Sequence, residues 1–248
     1  AVCGSDNQIE ISTKGRHGVP VRNVACADCG LVYVSPRPSP AAMEMFYRSH
    51  YRTQHLIAIP TRTGTLAHPG TPEYADALVY REEVLAINAL GNGMVKPGDR
   101  VLGVGCNRGD ALVMMNRRVP IEMHGIEPGH ESALAARSKG VTVHEGVMET
   151  YDPGDLRFDQ IQIFHVLEHL HDPLAVLVLL RSWLKPEGRL VVEVPDVMQP
   201  YGGLGNFFQY PHIYSFSQWG MRALLERAGL EVRRIGLGCT LYMVAVPA

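Results

Sequence analysis

The chain predicts an α/β fold: a seven-stranded, mostly parallel sheet that ends in an antiparallel hairpin and follows a small cysteine-bearing module. Three observations predict it. From Arg100 onward, short runs of apolar and β-branched residues alternate with helix-length segments, the signature of βαβ units whose sheet is covered on both faces. The last two runs are joined only by Leu237-Gly-Cys-Thr240, too short for a parallel crossover, so they form a hairpin. Residues 1 to 38 hold three of the five Cys, lack helical periodicity and end in the stiff run Ser35-Pro-Arg-Pro-Ser-Pro40, which marks a separate module.

Composition bounds the remaining possibilities. A chain of 248 residues with 46% hydrophobic and 19% charged residues suffices for one large domain with an appendage and excludes a mostly disordered protein. Lys and Arg number 23 against 25 Asp and Glu, for a net charge of −2, so no long-range attraction for a phosphate backbone exists and nucleic acid is not expected as a partner. Apolar stretches are broken within a dozen residues by Arg, Glu or Pro, and AVCGSDNQ is not ordered as a signal. The expectation is no membrane partner and a cytoplasmic location. Five Cys are too few and odd in number for a disulfide scaffold, whereas a Cys-x-x-Cys pair in the cytosol binds metal or does redox chemistry.

After the module, residues 39–73 read as a linker: an amphipathic helix over Ala41 to Tyr51, then a Thr, Gly and Pro-rich loop. Residues 74–248 form the main domain. Helical pattern returns at Glu73 to Leu90. Strands are predicted at 100–104, 122–126, 141–144, 160–164, 189–194, 231–236 and 241–246, and helices at 110–118, 130–139, 173–184 and 218–228. Asp172-Pro173 is a good cap and first-turn pair for the third of these helices. The 23 residues from Pro195 to Ser217, rich in Gly and aromatics, are expected to form a lid. Their aromatics, Tyr201, Phe207, Phe208, Tyr210 and Tyr214, suit a stacking surface or the lid's own core equally well.

The first predicted strand runs into Gly103-Val-Gly-Cys-Asn-Arg-Gly109 and then a helix, which places a tight turn at a helix N-terminus as in Rossmann-like nucleotide sites. Seventeen residues separate Gly109 from Glu127, at the end of the next strand, where an acid accepts hydrogen bonds from ribose hydroxyls. Each signal is weak alone, but strand, turn, helix, strand and acid in this order point to a nucleoside site. The spacing G-x-G-x-x-x-G is one residue longer than the dinucleotide pattern, which argues against a NAD-dependent oxidoreductase.

The segment Phe158-Asp-Gln-Ile-Gln-Ile-Phe-His-Val-Leu-Glu-His-Leu-His-Asp-Pro173, with Leu184-Lys-Pro-Glu-Gly-Arg-Leu-Val-Val-Glu-Val-Pro195, closely resembles the fourth and fifth strand region of class I S-adenosylmethionine-dependent methyltransferases. The resemblance continues at Val101 to Gly109, at Gly125-Ile-Glu-Pro128, at His212-Ile-Tyr-Ser-Phe-Ser217 and at Leu224 to Leu230, so it covers roughly residues 74 to 248. It implies that Gly103, Gly105, Asn107 and Gly109 lie along the methionine part of the cofactor and that Glu127 holds the ribose. Val147 and Met148 line the adenine, and His165 lies near the sulfonium. Arg81 is a possible partner of the cofactor carboxylate or a surface arginine. Two positions depart from the family: Gly103 stands where its acid usually is, and Asn107 replaces its second glycine.

Cys26-Ala-Asp-Cys-Gly-Leu31 has zinc-knuckle spacing, and Cys3-Gly-Ser5 resembles the second half of another knuckle. Cys3, Cys26 and Cys29 are therefore candidate ligands of a structural zinc ion in a zinc-ribbon-like module. The fourth is His17 or a Cys before the first residue. Redox use of Cys26 and Cys29 ranks lower, because no thioredoxin-like βαβ unit surrounds them. Similar modules, followed by stretches like Gly30-Leu-Val-Tyr33 and Pro36-Arg-Pro38, occur in bacterial methyltransferases of sugars and secondary metabolites.

Methyl transfer from a sulfonium is an in-line displacement, so the protein mainly aligns an acceptor and excludes water, with a base needed for a protonated nucleophile. His212 is the first candidate base and His165 the second, serving an oxygen of a small-molecule or glycan acceptor. His169 and His171 are expected to cap or orient the helix at Asp172. His212-x-x-x-Phe-Ser also resembles a segment of deoxysugar C-methyltransferases, but Pro211 stands where their glutamate would be and their long C-terminal domain is absent, which favours oxygen. A divalent metal on His165, Glu168, His169 and His212 ranks below the metal-free reading, because on one α-helix Glu168 and His169 point about 100° apart. A methyltransferase-like scaffold that has lost activity is the remaining alternative, supported by Gly103 and Asn107.

Overall fold

The computed structural model describes residues 3–49, 59–91, 93–200, 203–237 and 240–248. By compactness the chain divides into two units, Ala41–Asp152 and, together, Ala1–Pro40 with Pro153–Ala248.

In the second of these units the N-terminal segment builds an antiparallel sheet from β1 (Gln8–Lys14), β2 (Pro20–Cys26) and β3 (Val32–Val34). A fourth strand, β11 (Tyr214–Ser215), joins it from far along the chain, with Tyr214 opposite Tyr33 and Ser215 opposite Val32. Helix α1 (Pro40–Ser49) follows β3, and β4 (Ile59–Pro60) pairs with β5 (Leu66–Ala67) in the loop region.

The larger sheet has seven strands and is mostly parallel. The unit Ala41–Asp152 contributes the run β6 (Arg100–Val104), β7 (Glu122–Glu127) and β8 (Thr142–Glu145), all parallel. Helix α2 (Pro72–Leu90) precedes them, starting on Pro72 and stopping at Gly91, whose left-handed backbone ends the helix. Helices α3 (Asp110–Arg118) and α4 (His130–Ser138) are the crossovers. The other unit contributes β12 (Leu230–Leu237), β13 (Thr240–Pro247), β10 (Leu184–Pro195) and β9 (Phe158–Phe164), in that order. β9 and β10 are parallel, while β13 runs antiparallel to both β10 and β12. The short Leu237 to Thr240 link therefore makes the expected hairpin.

The core lies where the apolar runs predicted it. Ile161, Ile163, Leu190, Val191 and Val194 are fully buried, as are Leu177 and Leu180 of α5 (Pro173–Trp183) and Met221 and Leu225 of α7 (Gln218–Arg227). The Asp172 side chain caps α5 by accepting from the Ala175 N–H at 3.0 Å, and Ser217 caps α7 through the Gly220 N–H. Strand β10 begins earlier than the predicted Arg189, because Leu184 pairs with Phe158 before an irregularity at 185–188. Gly188 is needed there: a Cβ would stand 2.8 Å from the Phe158 carbonyl oxygen and 2.9 Å from that of Lys185.

The 195–217 segment is knitted into the antiparallel sheet. Its helix α6 (Leu204–Phe207) is one turn long, and Phe207 and Phe208 bury against Val32. Tyr214 and Phe216 are buried too and stack on one another. Of the two roles open to these aromatics, packing is what the structure shows for Phe207, Phe208 and Tyr214. Tyr201 lies outside the described residues.

Candidate functional site

In the unit Ala41–Asp152, β6 ends in a turn with three left-handed residues, Gly105 (φ 65°), Asn107 (φ 50°) and Gly109 (φ 74°). Asparagine tolerates this region better than other residues with a side chain, so the departure at Asn107 keeps the backbone path. Gly109 packs tightly, since a Cβ there would stand 3.0 Å from Val141 and 3.1 Å from Ala136. Gly103 is buried within β6 opposite Gly125.

Glu127, last residue of β7, ties this loop to the next. Its Oε2 accepts from the Asn107 N–H at 2.9 Å and its Oε1 from the Gly129 N–H at 2.8 Å. Each carboxylate oxygen retains a second acceptor site. Burial raises the Glu127 carboxyl above its usual value, against those two amide donors. The Gly146 N–H donates to the Glu127 carbonyl, which brings the turn at 147–150 beside the acid. There Val147 is exposed and Met148 buried. Cys106, in the same loop, stays a neutral thiol: burial and then the Glu127 charge push it up to about 12. Arg81 is exposed on α2.

In the other unit, titratable groups converge at the end of β9. His165 holds a left-handed backbone (φ 53°), a conformation that a residue with a Cβ keeps only where its surroundings enforce it and that concentrates at functional sites. Its N–H donates to the Glu193 carbonyl at 2.8 Å, while its ring lies between two buried carboxylates, Nδ1 at 3.6 Å from Glu168 Oε1 and Nε2 at 3.5 Å from Glu193 Oε1. Burial works to raise the Glu168 carboxyl, but the imidazoles of His165 and His169 hold it below the usual range.

Residues 167–169 form a 3-10 turn, on which neighbouring residues leave the backbone about 120° apart, yet the ends of the Glu168 and His169 side chains still meet. His212 joins them: one ligand atom from each of Glu168, His169 and His212 lies within 4.8 Å of the others. His169 Nδ1 donates to the Pro211 carbonyl at 2.9 Å and its ring meets that of His212 edge-on. His171 Nε2 donates to the Pro38 carbonyl. These two histidines fasten chain segments, and the side-chain cap of α5 is Asp172.

Arg16, Gln209 and Glu193 complete the cluster and were not singled out from sequence. Arg16 donates to Gln209 Oε1 at 2.9 Å, which turns the Gln209 amide nitrogen onto the His212 ring, 2.7 Å from Nε2 and 3.1 Å from Nδ1. Glu193 did carry a signal, as the one charge inside the apolar run Leu190 to Val194. Nothing local to Arg16 or Gln209 reveals a partnership across 193 positions.

The cysteines also converge. Cys3, Cys26 and Cys29 place their sulfurs within 4.8 Å of one another, with Cys3 and Cys26 3.5 Å apart. Gly30 is left-handed (φ 69°) as the knuckle requires. Burial alone would raise the Cys29 thiol, but amides of Leu31 and Cys3 directed at the sulfur bring it down to about 7. The side chain of His17 lies outside the described residues. No described helix is long and apolar enough to cross a membrane.

With this geometry in view, comparison with known proteins is informative. An uncharacterized methyltransferase of Schizosaccharomyces pombe is 33% identical over 118 residues, 42% of either chain. A ubiquinone biosynthesis O-methyltransferase of Bradyrhizobium diazoefficiens is 29% identical over 119 residues, 46% of this chain and 44% of its own. The chain thus spans about half or less of the length of these relatives. Among solved structures, a methyltransferase of Streptomyces caelestis superposes with a TM-score of 0.58 at 15% identity, covering 72% of this chain and 100% of that one. These likenesses agree with the α/β sheet described above. Residues 75–235 match the family model described as a methyltransferase domain, and on that match, from α2 to β12, the chain belongs to the methyltransferase family.

Proposed function

We propose that the protein transfers a methyl group from S-adenosylmethionine to an oxygen of a small-molecule or glycan acceptor. The observation that carries this reading is Glu127, whose two oxygens are aligned by the Asn107 and Gly129 amides and keep acceptor capacity for both hydroxyls of a ribose. The cofactor, when bound, supplies an electrophilic methyl carbon on a sulfonium. Gly103, Gly105, Asn107 and Gly109 present backbone without bulk to its methionine end. The exposed Val147 side chain offers an apolar face to adenine, with Met148 anchoring that turn in the core. In the histidine cluster, His165 and His212 are the proton acceptors for the acceptor hydroxyl. His165 is the more accessible, at 21% exposure of its side chain, and Glu168 and Glu193 stabilise the imidazolium formed when it takes a proton. The similarity to an O-methyltransferase agrees with an oxygen acceptor.

The test is titration with S-adenosylmethionine and S-adenosylhomocysteine, with NADH as control, followed by label transfer from methyl-labelled cofactor to sugar and phenolic hydroxyls. Saturable binding of the first two and not of NADH is expected. His165→Asn keeps the left-handed backbone and removes the imidazole, so turnover should fall about 10²–10⁴-fold, the usual worth of a general base. Folded protein that binds neither ligand would instead support the binding-protein alternative.

We also propose a structural zinc ion on Cys3, Cys26 and Cys29, with the fourth ligand His17 or a residue outside those described. Tetrahedral zinc with Zn–S near 2.3 Å sets sulfurs about 3.8 Å apart, close to the observed 3.5 Å for Cys3 and Cys26. Elemental analysis should find one zinc fewer per chain in Cys29→Ser than in the unaltered protein. That variant's unfolding midpoint should fall by about 2–4 °C per kcal/mol of lost stability; an unchanged zinc content would sink the assignment.

A further inference from the structure

The histidine cluster contains donors that proton transfer leaves unexplained. Glu168 is 1% exposed, and among the described residues no group stands within hydrogen-bond distance of either of its oxygens. A buried carboxylate in that condition is costly unless a cation compensates it. The imidazole nitrogens nearest to it, His165 Nδ1 at 3.6 Å and His169 Nε2 at 3.8 Å, stand beyond hydrogen-bond distance.

His169 gives the direction. A carbonyl can only accept, so the 2.9 Å contact with Pro211 places a proton on Nδ1 and turns Nε2 toward Glu168, 3.8 Å from its Oε1. An imidazole whose far nitrogen donates to a backbone carbonyl while its near nitrogen faces a carboxylate is oriented as metal-ligating histidines are. The third donor, His212, is 6% exposed and held against Gln209.

We propose that Glu168, His169 and His212 bind one divalent transition-metal cation. Two imidazoles and one carboxylate suit such ions and leave coordination positions open. Ligation requires His212 to turn one nitrogen from the Gln209 amide to the cation. With the cation bound, His212 is a ligand and no longer a proton acceptor, and His165, outside the ligand set, takes that role alone. The cation's use, to orient an acceptor hydroxyl and lower its pKa, rests on the methyl-transfer reading; its binding does not. In that use the hydroxyl proton passes to His165, the oxygen forms a bond to the methyl carbon, and the sulfur–carbon bond breaks with its electron pair staying on sulfur as the neutral thioether.

The probe is Mn²⁺, which favours nitrogen and oxygen donors over the thiolates of the cysteine site, titrated into chelator-treated protein and followed by loss of the free-ion paramagnetic resonance signal. One saturable equivalent per chain is expected, weakened at least tenfold in Glu168→Gln and in His169→Gln. Retained S-adenosylhomocysteine binding shows that the variants fold. Should they not fold, the Co²⁺ spectrum of the unaltered chain decides: a second equivalent that adds d–d bands without adding sulfur charge transfer supports the site. Absence of saturable Mn²⁺ and Co²⁺ binding, or affinity unmoved by Glu168→Gln, overturns it. Cation binding with no methyl transfer to any hydroxyl would sink the methyl-transfer reading and leave the site standing.

Discussion

Glu127→Ala is expected to weaken S-adenosylmethionine and S-adenosylhomocysteine binding about 10²–10⁴-fold, measured by calorimetric titration. Two hydrogen bonds from ribose hydroxyls to a charged acceptor contribute about 1.5–3 kcal/mol each, and every 1.4 kcal/mol is a factor of ten. The substitution also strips the Asn107 and Gly129 amides of their shared acceptor, freeing the left-handed turn at Asn107 from the strand end that orders it. Acidity should act in the same sense. Because burial raises the Glu127 carboxyl, protonation sets in at higher pH than for an exposed glutamate, and the protonated form no longer offers two charged acceptors. Cofactor affinity should therefore decline on acidification from above the ordinary glutamate range, and the decline should vanish in Glu127→Ala. An affinity within threefold of the unaltered protein would remove the ribose role from Glu127.

Much of this unit was legible because its signals are local. Strand β6, its glycine turn and α3 follow one another without interruption, and the acid follows the next strand at the spacing that a βα repeat dictates. The hairpin of β12 and β13 was legible for the same reason, since a four-residue link leaves one geometry. The histidine cluster was only half legible. His165 and His212 stood out by type, yet their neighbours depend on contacts that no periodicity encodes: Arg16 meets Gln209 across 193 positions, and the two-residue strand β11 leaves no alternation to detect. Glu168 and His169 are legible only in part: neighbours on a helical turn leave the backbone in different directions, and that their side-chain ends meet beside His212 depends on rotamers and on a segment 43 positions away.

Those long-range contacts make Phe208→Ala the most consequential change to stability. Phe208 is 1% exposed and packs with Phe207 on Val32, and its carbonyl accepts the Arg16 N–H at 2.7 Å. Truncating a fully buried phenylalanine costs about 3–5 kcal/mol through lost burial and the cavity left behind. Urea denaturation should show that loss. The functional consequence follows from the same residues: Arg16 donates to the Asn206 carbonyl as well as to Gln209, so loosening Phe208 loosens the amide that faces His212. Turnover should drop while the affinity for S-adenosylhomocysteine, set by Glu127 and the glycine turn, stays within a few fold. Loss of stability below about 1 kcal/mol, the range of a surface change, would mean that the aromatic segment rests on the antiparallel sheet without being part of its core. Equal losses of turnover and cofactor affinity would mean instead that Phe208 supports the whole fold and that the Arg16–Gln209 contact has no separate hold on His212.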